Sequence, residues 1–393
     1  MSEETDVLVV GAGPVGLLTA LGLARHGVRV TVIEAGAAIE DSPRAIVYHW
    51  TVLEDLDRLG ILADVKARGI CKTDYAYRVH ETGEMIYYSI DVLADETPYA
   101  YNVHLGQHEL AAIALEHLGR HGGAAVRWST EATALRQDAE GVTVSSPRGE
   151  LRARWVVACD GARSTVRKLL AMPFEGMTWP ERFVATNVFY DFQSHGYARA
   201  NFLIDPVHGA VIVKIDDRDL WRVTYSEDGR LPEETVGERI AEHFRALLPG
   251  QEPYELERHQ PYRMHQRAAA RLRERRVLLA GDAAHATNPT GGLGLTSGLF
   301  DSFALTAPLA AVVLEGASDR LLDRWAAERR RLFVEIASPA ASENKRVVYS
   351  EPDPDRRRAD VEEIRRQLSD PDALRRRLKF TEQLRSRPLL AAA

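Results

Sequence analysis

The sequence predicts an α/β fold: a parallel-sheet domain of the βαβ type, a mainly β region inserted into it, and a C-terminal helical segment. Three observations predict it. Asp6–Val10 reads as a buried strand and runs straight into Gly11-x-Gly13-x-x-Gly16 and a helical apolar pattern. Far along the chain, Val277–Ala280 repeats the design of apolar strand, glycine-rich loop and helix. Between the two, Trp179 to Tyr262 changes to strand-like runs separated by turns.

In the first unit the helical pattern (Val15, Leu18, Leu21, Leu23) ends near Gly27, and a second strand, Val28 to Ile33, ends on Glu34. Gly11 permits the tight turn, Gly13 lets the backbone approach a pyrophosphate, and Gly16 allows close helix–strand packing. A carboxylate about 20 residues beyond such glycines can accept both ribose hydroxyls of an adenosine. Glu34 stands there. With Pro14, Val15 and Ala35 these residues form the first part of a dinucleotide site. The pattern alone does not separate NAD from FAD.

The second unit, Val277 to Asp301, places Asp282 directly after the strand end at Gly281, then a loop with Pro289, Gly291, Gly292 and Gly294. Apolar positions at Leu295, Leu299, Phe303 and Leu305 continue as a helix to about Leu314. Glycines let a flat ligand reach the backbone, because no Cβ stands in the way. Free N–H groups at the helix start favour negative charge. Such a loop suits a ligand that offers hydroxyls to Asp282 and carries negative charge beside the helix.

Gly281-Asp282-Ala283-Ala284-His285, Pro289-x-Gly291-Gly292-x-Gly294 and Asp301 together resemble the flavin signature of the single-component (group A) FAD-dependent aromatic hydroxylases, of the para-hydroxybenzoate hydroxylase type. The resemblance runs from Asp6 to about Phe333 and implies a Rossmann-like FAD-binding domain of the GR2 type. By it, Asp282 holds the ribityl chain, and Gly292, Leu293, Gly294 and Leu295 lie against the pyrimidine edge of the isoalloxazine. Arg44, in Ser42-Pro43-Arg44-Ala45, corresponds to the family's arginine beside the flavin, and Gln107 to the polar residue meeting the ribityl and phosphate region. The backbone near Ala132 meets adenine. Asp160, opening Asp160-Gly161-Ala162-Arg163-Ser164, sits near the pyrophosphate through bridging groups, with Arg163 and Arg167 available as compensating charges. His285 is a positioning residue rather than a base. Two departures stand out: Thr296 where the family usually has Asn, and Asn288 where a second Pro is common.

The activity implied is hydroxylation of an electron-rich aromatic ring. NADPH or NADH reduces the flavin and leaves, O₂ is trapped as a flavin C4a-hydroperoxide, one oxygen atom enters the substrate, and the other becomes water. The flavin carries the hard chemistry and the protein supplies position and dryness. No second nucleotide fingerprint is visible, so the nicotinamide donor is expected to bind transiently in a groove shared with the first domain.

The strand-like runs Phe183–Tyr190, Ala200–Ile204, Ala210–Ile215 and Leu220–Tyr225 make up a substrate sheet, with a helix over Val236–Leu248 on its outer face. Tyr190, Asn201, His208 and Tyr225 are pocket candidates, with Pro289 flanking the reacting oxygen. A one-residue slip turns each side chain to the opposite face, so the catalytic base stays unassigned. Tyr99, Tyr101 and His104 fit either packing or pocket wall. The expected division is residues 1–72, 106–172 and 263–340 for the flavin, 73–105 and 173–262 for the substrate, and 341–393 as a helical segment whose Arg356-Arg357-Arg358 faces solvent or the partner of a homodimer.

The 393 residues are 45% hydrophobic and 27% charged, with net charge −7. That gives no basic field for nucleic acid. Cys71 and Cys159 are too few for a disulfide framework or a Cys-rich metal site. The acidic start is unlike a secretory signal, and no uninterrupted apolar run reaches the roughly 20 residues of a membrane span; a cytoplasmic setting follows. Partners are a small aromatic substrate and O₂. The competing readings are a flavin dehydrogenase without oxygen insertion, a non-catalytic flavoprotein that sequesters an intermediate, and a halogenase, whose Trp-x-Trp-x-Ile-Pro motif is absent. A simple NAD dehydrogenase leaves Arg44, Gln107 and the Asp282 loop without a role.

Overall fold

The structure is a computed structural model describing residues 4–41, 46–216, 218–250 and 252–390. Five parallel strands form the centre of an eight-stranded sheet, in the order Val277–Leu279, Gly149–Ala158, Glu4–Val10, Val30–Ile33, Ala124–Arg127. Val7, Leu8 and Val9 are fully buried, as befits parallel strands covered on both faces. Backbone bonds bring the carboxyl ends level. Cys159 N donates to Val10 O (2.7 Å), Gly11 N to Ile33 O (2.8 Å), Ala280 N to Ala158 O (2.9 Å) and Glu34 N to Arg127 O (3.0 Å). The glycine fingerprint, Glu34, the Asp160 turn and the Asp282 loop therefore leave the sheet on the same edge.

The helix Pro14–Arg25 packs against both Gln107–Leu118 and Leu293–Leu314. Small residues let the axes approach: a Cβ on Gly22 would meet the Thr306 methyl group at 2.5 Å, and Thr19 Oγ1 bonds Ser302 Oγ at 3.0 Å. Leu293–Leu314 is long and apolar enough to span a bilayer by length and composition, yet 78% of its most apolar window is buried within the fold. It is the central core helix.

The second eight-stranded sheet runs His285–Ala286, Glu255–Ala269, Phe174–Phe189, Leu220–Asp228, Ala210–Lys214, Ala200–Ile204, Asp74–Val79, Met85–Ser89. All its pairings are antiparallel except Ala200–Ile204 with Asp74–Val79, which joins the early segment to the later one. The helix Val236–Leu247 covers one face, setting Ile240 and Phe244 among Val184, Trp221, Val223 and Tyr225. A three-stranded sheet, Val47–Tyr48, Asn102–His104 and Ile70–Lys72, carries the chain between the two large ones.

The charged part of the C-terminal segment forms two helices, Pro354–Ser369 and Pro371–Leu378, then a 3₁₀ turn to Leu384. Each helix starts on an Asp cap with Pro behind it: Asp353 accepts from Asp355 N and Asp370 from Asp372 N. The three arginines clamp the first start. Arg356 pairs with Glu351 at 3.2 Å, Arg357 donates to the Glu351 and Pro352 carbonyls, and Arg358 pairs with Asp355.

Candidate active site

One cavity of 1810 Å³ opens along the carboxyl edge of the parallel sheet and continues beneath the second sheet. That exceeds the roughly 300–1,000 Å³ of a single small-ligand pocket and suits a dinucleotide with a second molecule beside it. Its lining includes Gly11, Gly13, Pro14, Val15, Glu34, Ala35, Gln107, Ala132, Asp160, Gly281, Asp282, Pro289, Gly292, Leu293, Gly294 and Leu295. Arg44 lies outside the described residues. Gly16 does not line the cavity; it is a packing residue, since a Cβ there would overlap the Gly11 carbonyl oxygen.

The geometry fits a bound dinucleotide. Gly11, at φ +106°, turns the chain where a side chain would strike the Cys159 carbonyl. A Cβ on Gly13 would meet nothing within 4 Å, so the turn leaves free space over its backbone where a pyrophosphate needs it. Glu34 is aimed by Ala12 N (2.8 Å) on one oxygen and Gly36 N (2.8 Å) on the other. Gly292, in the left-handed region at φ +69°, starts the 22-residue helix, and the first turn, Leu293, Gly294 and Leu295, where N–H groups lack intrahelical partners, lines the cavity. Asp282 is exposed to the same space.

Asp160 is placed more tightly than expected. Its carboxylate accepts Ser164 Oγ (2.5 Å) and Val166 N (3.0 Å), and burial raises its pKa above the ordinary value. Arg167 does not face the cavity. It donates to the Ala283 (2.8 Å) and Ala162 (2.7 Å) carbonyls and lies over Phe174, tying the Asp160 turn to the Asp282 turn. Arg163 is exposed and on the lining.

A buried ionic network backs the Asp282 loop. Asp301 Oδ2 accepts Gly281 N (2.9 Å) and His285 Nε2 (2.7 Å), while Oδ1 accepts Arg329 Nε (2.8 Å). His285 stacks on Phe333 at 4.2 Å and is away from the lining, which agrees with a positioning role. Both departures have local functions: Thr296 Oγ1 bonds the Gly292 carbonyl (2.8 Å) inside the helix start, and Asn288 accepts Thr290 N (3.1 Å) and donates to Gln266 Oε1 (3.2 Å).

The pocket candidates divide. Asn201 lines the cavity, but its amide is occupied by the Ala198 N–H and the Ala198 and Ile212 carbonyls. Pro289 lines it too. Tyr190, His208 and Tyr225 do not. Tyr190 bonds Glu252 (2.9 Å), Tyr225 packs on His243 under the outer helix, and His208 lies tilted against His80 (5.2 Å). Tyr99 bonds Asp57 and Tyr101 faces Lys66, both outside the chamber.

The chamber walls come instead from residues that sequence reasoning passed over: His49, Trp50, Tyr75, Tyr77, Tyr88, Phe202, Arg222 and Tyr262. His49 Nε2 meets the Gly291 carbonyl at 2.9 Å, and burial lowers its pKa. The Tyr75 hydroxyl accepts Asn102 Nδ2 (2.7 Å) and lies 3.3 Å from Nε2 of His104, which burial holds well below the usual imidazole pKa. Arg222 donates twice to Asn187 Oδ1 (3.1 Å each), and burial pulls its pKa down to about 10, so it remains a cation at neutral pH. The Tyr-rich runs Tyr75-Ala76-Tyr77 and Tyr87-Tyr88 are the sequence signal that points to part of this wall.

The model of the FAD binding domain family matches residues 4–338. The chain is 45% identical over 389 residues to 6-hydroxy-3-succinoylpyridine 3-monooxygenase HspB of Pseudomonas putida (strain DSM 28022 / S16), covering 98% of this chain and 99% of that one. It is likewise 45% identical to para-nitrophenol 4-monooxygenase of Pseudomonas sp. (strain WBC-3), over 99% and 98% of the two chains. The crystal structure of p-nitrophenol 4-monooxygenase PnpA from Pseudomonas putida DLL-E4 superposes with a TM-score of 0.94 at 45% identity, covering 98% and 99%. The dinucleotide cradle, the aromatic chamber opening from it and these full-length likenesses agree: the chain belongs to the FAD-binding family of single-component aromatic monooxygenases.

Proposed function

We propose that this enzyme oxygenates a hydroxylated aromatic ring at the carbon para to its hydroxyl, a carbon that already bears a substituent. The observation that carries the reading is the single cavity in which the dinucleotide cradle and a chamber of aromatic side chains share one space. The names of both full-length relatives place oxygen in that relation: position 4 of para-nitrophenol, and position 3 of a ring with hydroxyl at 6 and succinoyl at 3. We read residues 1–72, 106–172 and 263–340 as the flavin unit, and the cofactor-lining residues named above as its ligands.

Bound FAD, reduced by NAD(P)H, supplies the activated oxygen. The chain's residues do the rest. Pro289 and Thr290 hold the ring beside the Gly291–Gly292 turn, and His49 fixes that turn through the Gly291 carbonyl. Tyr75, backed by neutral His104 and by Asn102, offers a hydroxyl that can accept or pass a proton in a dry site. The donor nucleotide approaches at the mouth beside Arg163, Arg263 and Arg267, whose charges add to burial in lowering the His265 pKa.

In the balanced reaction one oxygen atom enters the ring, the other leaves as water, and the substituent departs with its bonding electrons as HX, giving a quinone. The test is a panel of para-substituted phenols against the FAD-loaded enzyme, following NAD(P)H oxidation, O₂ uptake and product mass. The expected result is quinone and HX in equal amounts. Oxygen at a ring carbon that bore hydrogen, with the substituent retained, rejects the para-displacement reading.

A further inference from the structure

The cavity does not stop at the ring chamber. It reaches an end built by the C-terminal helices, where Gln367, Arg376 and Arg377 join the lining. The wall leading there is a stack of rings: Tyr75 on Tyr88 (5.4 Å), Tyr88 on Tyr77 (6.1 Å) and Tyr77 on Phe202 (5.0 Å). Hydrogen bonds connect this end to the flavin loop. His49 meets the Gly291 carbonyl, and Trp50 Nε1 donates to the Leu378 carbonyl at 3.1 Å, next to Arg377.

Basic residues are common on these helices, and most are neutralised. Arg375 pairs with Asp95, Glu96 and Asp372, Arg366 with Glu363, and Lys379 with Glu96. Arg377 is different. Its guanidinium donates only to neutral oxygens, Gln367 Oε1 (2.6 Å) and Tyr77 OH (2.7 Å), with its carbon 5.6 Å from the centre of the Tyr77 ring. It forms no ion pair among the described residues, and neither does exposed Arg376 beside it. The Tyr77 hydroxyl, first of several influences, raises the Arg377 pKa, so the charge is fixed. Glu363 acts on Arg377 only through space, so a half-buried guanidinium with no carboxylate in contact keeps donor capacity for an anionic ligand. In a chain of net charge −7, two adjacent cations on the cavity lining, neither paired with a carboxylate among the described residues, are not explained by surface balance.

We infer that this end of the cavity recognises an anionic oxygen of the aromatic substrate, with Arg377 setting specificity and Arg376 drawing the anion in. The inference rests on the aromatic-substrate reading above. A guanidinium fork matches a carboxylate in two parallel hydrogen bonds and also stabilises a single phenolate oxygen. Two sources share that chemistry: a carboxylate on a ring substituent, and the ring's own ionised hydroxyl.

The test uses the FAD-loaded full-length enzyme and two matched pairs of ligands, with affinity measured by titration calorimetry. One pair is a para-acyl phenol with a carboxylate tail and its methyl ester; the other is a tail-free phenol and its methyl ether. The expected result is that the wild type prefers the ionisable member of one pair by about tenfold, or about 1.4 kcal/mol. Arg377→Gln should abolish that preference while leaving the neutral member's affinity unchanged, and Arg377→Lys should keep part of it. The pair in which the preference collapses names the anion.

Equal weakening of both members in Arg377→Gln, survival of the preference, or its loss only in Arg222→Gln overturns the inference. Should Arg377→Gln not fold, Arg376→Glu at the exposed position decides. Loss of affinity for the ionisable member that fades with added salt supports the inference, and equal effects on both members reject it. Failure of the underlying reading looks different: none of the four compounds binds or stimulates NAD(P)H oxidation in the wild type.

Discussion

At the scale of the residue, Asp301 explains why the Asp282 loop keeps its shape. It is fully buried, and burial alone would raise its pKa; the contacts with His285 and Arg329 outweigh that and hold it below the ordinary value. It also fixes Gly281 N and, through Arg329, reaches the Leu384 carbonyl. Removing one member of a buried pair strands the other charge, at about 3–5 kcal/mol. Asp301→Asn should therefore lower unfolding stability by about 3 kcal/mol at neutral pH and reduce retained flavin, read by denaturant titration and by absorbance. A folded-state pKa below the unfolded value near 3.9 gives stability that is complete above that value and is lost as pH falls through the folded one. The gap between wild type and Asp301→Asn should stay constant from pH 7 to about 4 and close only below it. A gap that closes already between pH 7 and 5 shows that the Asp301 carboxylate is not the source of the difference.

At the scale of the element, the second sheet works because its faces do different things. Trp221, Val223 and Tyr225 alternate toward the outer helix, while Arg222 and Thr224 turn to the cavity. Phe244→Ala, on that outer helix, should cost about 3–5 kcal/mol in unfolding stability. It should leave KM and product ratio unchanged at a temperature where the variant is folded. A raised KM would place the outer core in the site. The same alternation marks what the chain's letters could tell. The parallel sheet was legible because glycines, Glu34 and Asp282 follow apolar runs, and each such turn has few physical alternatives. The pocket wall was not legible. Phe183–Val188 and Leu220–Tyr225 are buried on both faces, which erases the polar–apolar alternation that would reveal direction. Tyr190 and Tyr225 thus looked as suitable as Tyr75 and Tyr262. His49 and Trp50 were hidden for another reason: they reach the cavity through a three-stranded sheet whose members lie far apart in sequence.

At the scale of the whole molecule, the cavity is closed by three parts that touch at Trp50. Its backbone N–H donates to Asn102 Oδ1 (2.8 Å) on the small sheet, its indole N–H to the Leu378 carbonyl on the C-terminal helices, and its ring lines the cavity. The neighbouring residue holds the flavin loop through Gly291. Trp50 is thus a seam between the flavin edge, the ring chamber and the C-terminal cover. Activated oxygen that meets water rather than an aromatic ring ends as H₂O₂, so the chain's contribution to yield is exclusion of water along this seam. Trp50→Ala removes the ring and the Leu378 tether together while leaving the Gly13 and Glu34 cradle intact. The expected variant still binds FAD and still oxidises NAD(P)H, but product per NAD(P)H falls and H₂O₂ rises to make up the difference. Trp50→Phe keeps the ring and loses only the tether, so its product ratio should lie between those of Trp50→Ala and wild type. Measuring product and peroxide together separates this from a plain loss of substrate affinity, which would be overcome at saturating substrate. If saturation restores full coupling in Trp50→Ala, the seam is a binding contact and the water barrier lies elsewhere in the wall.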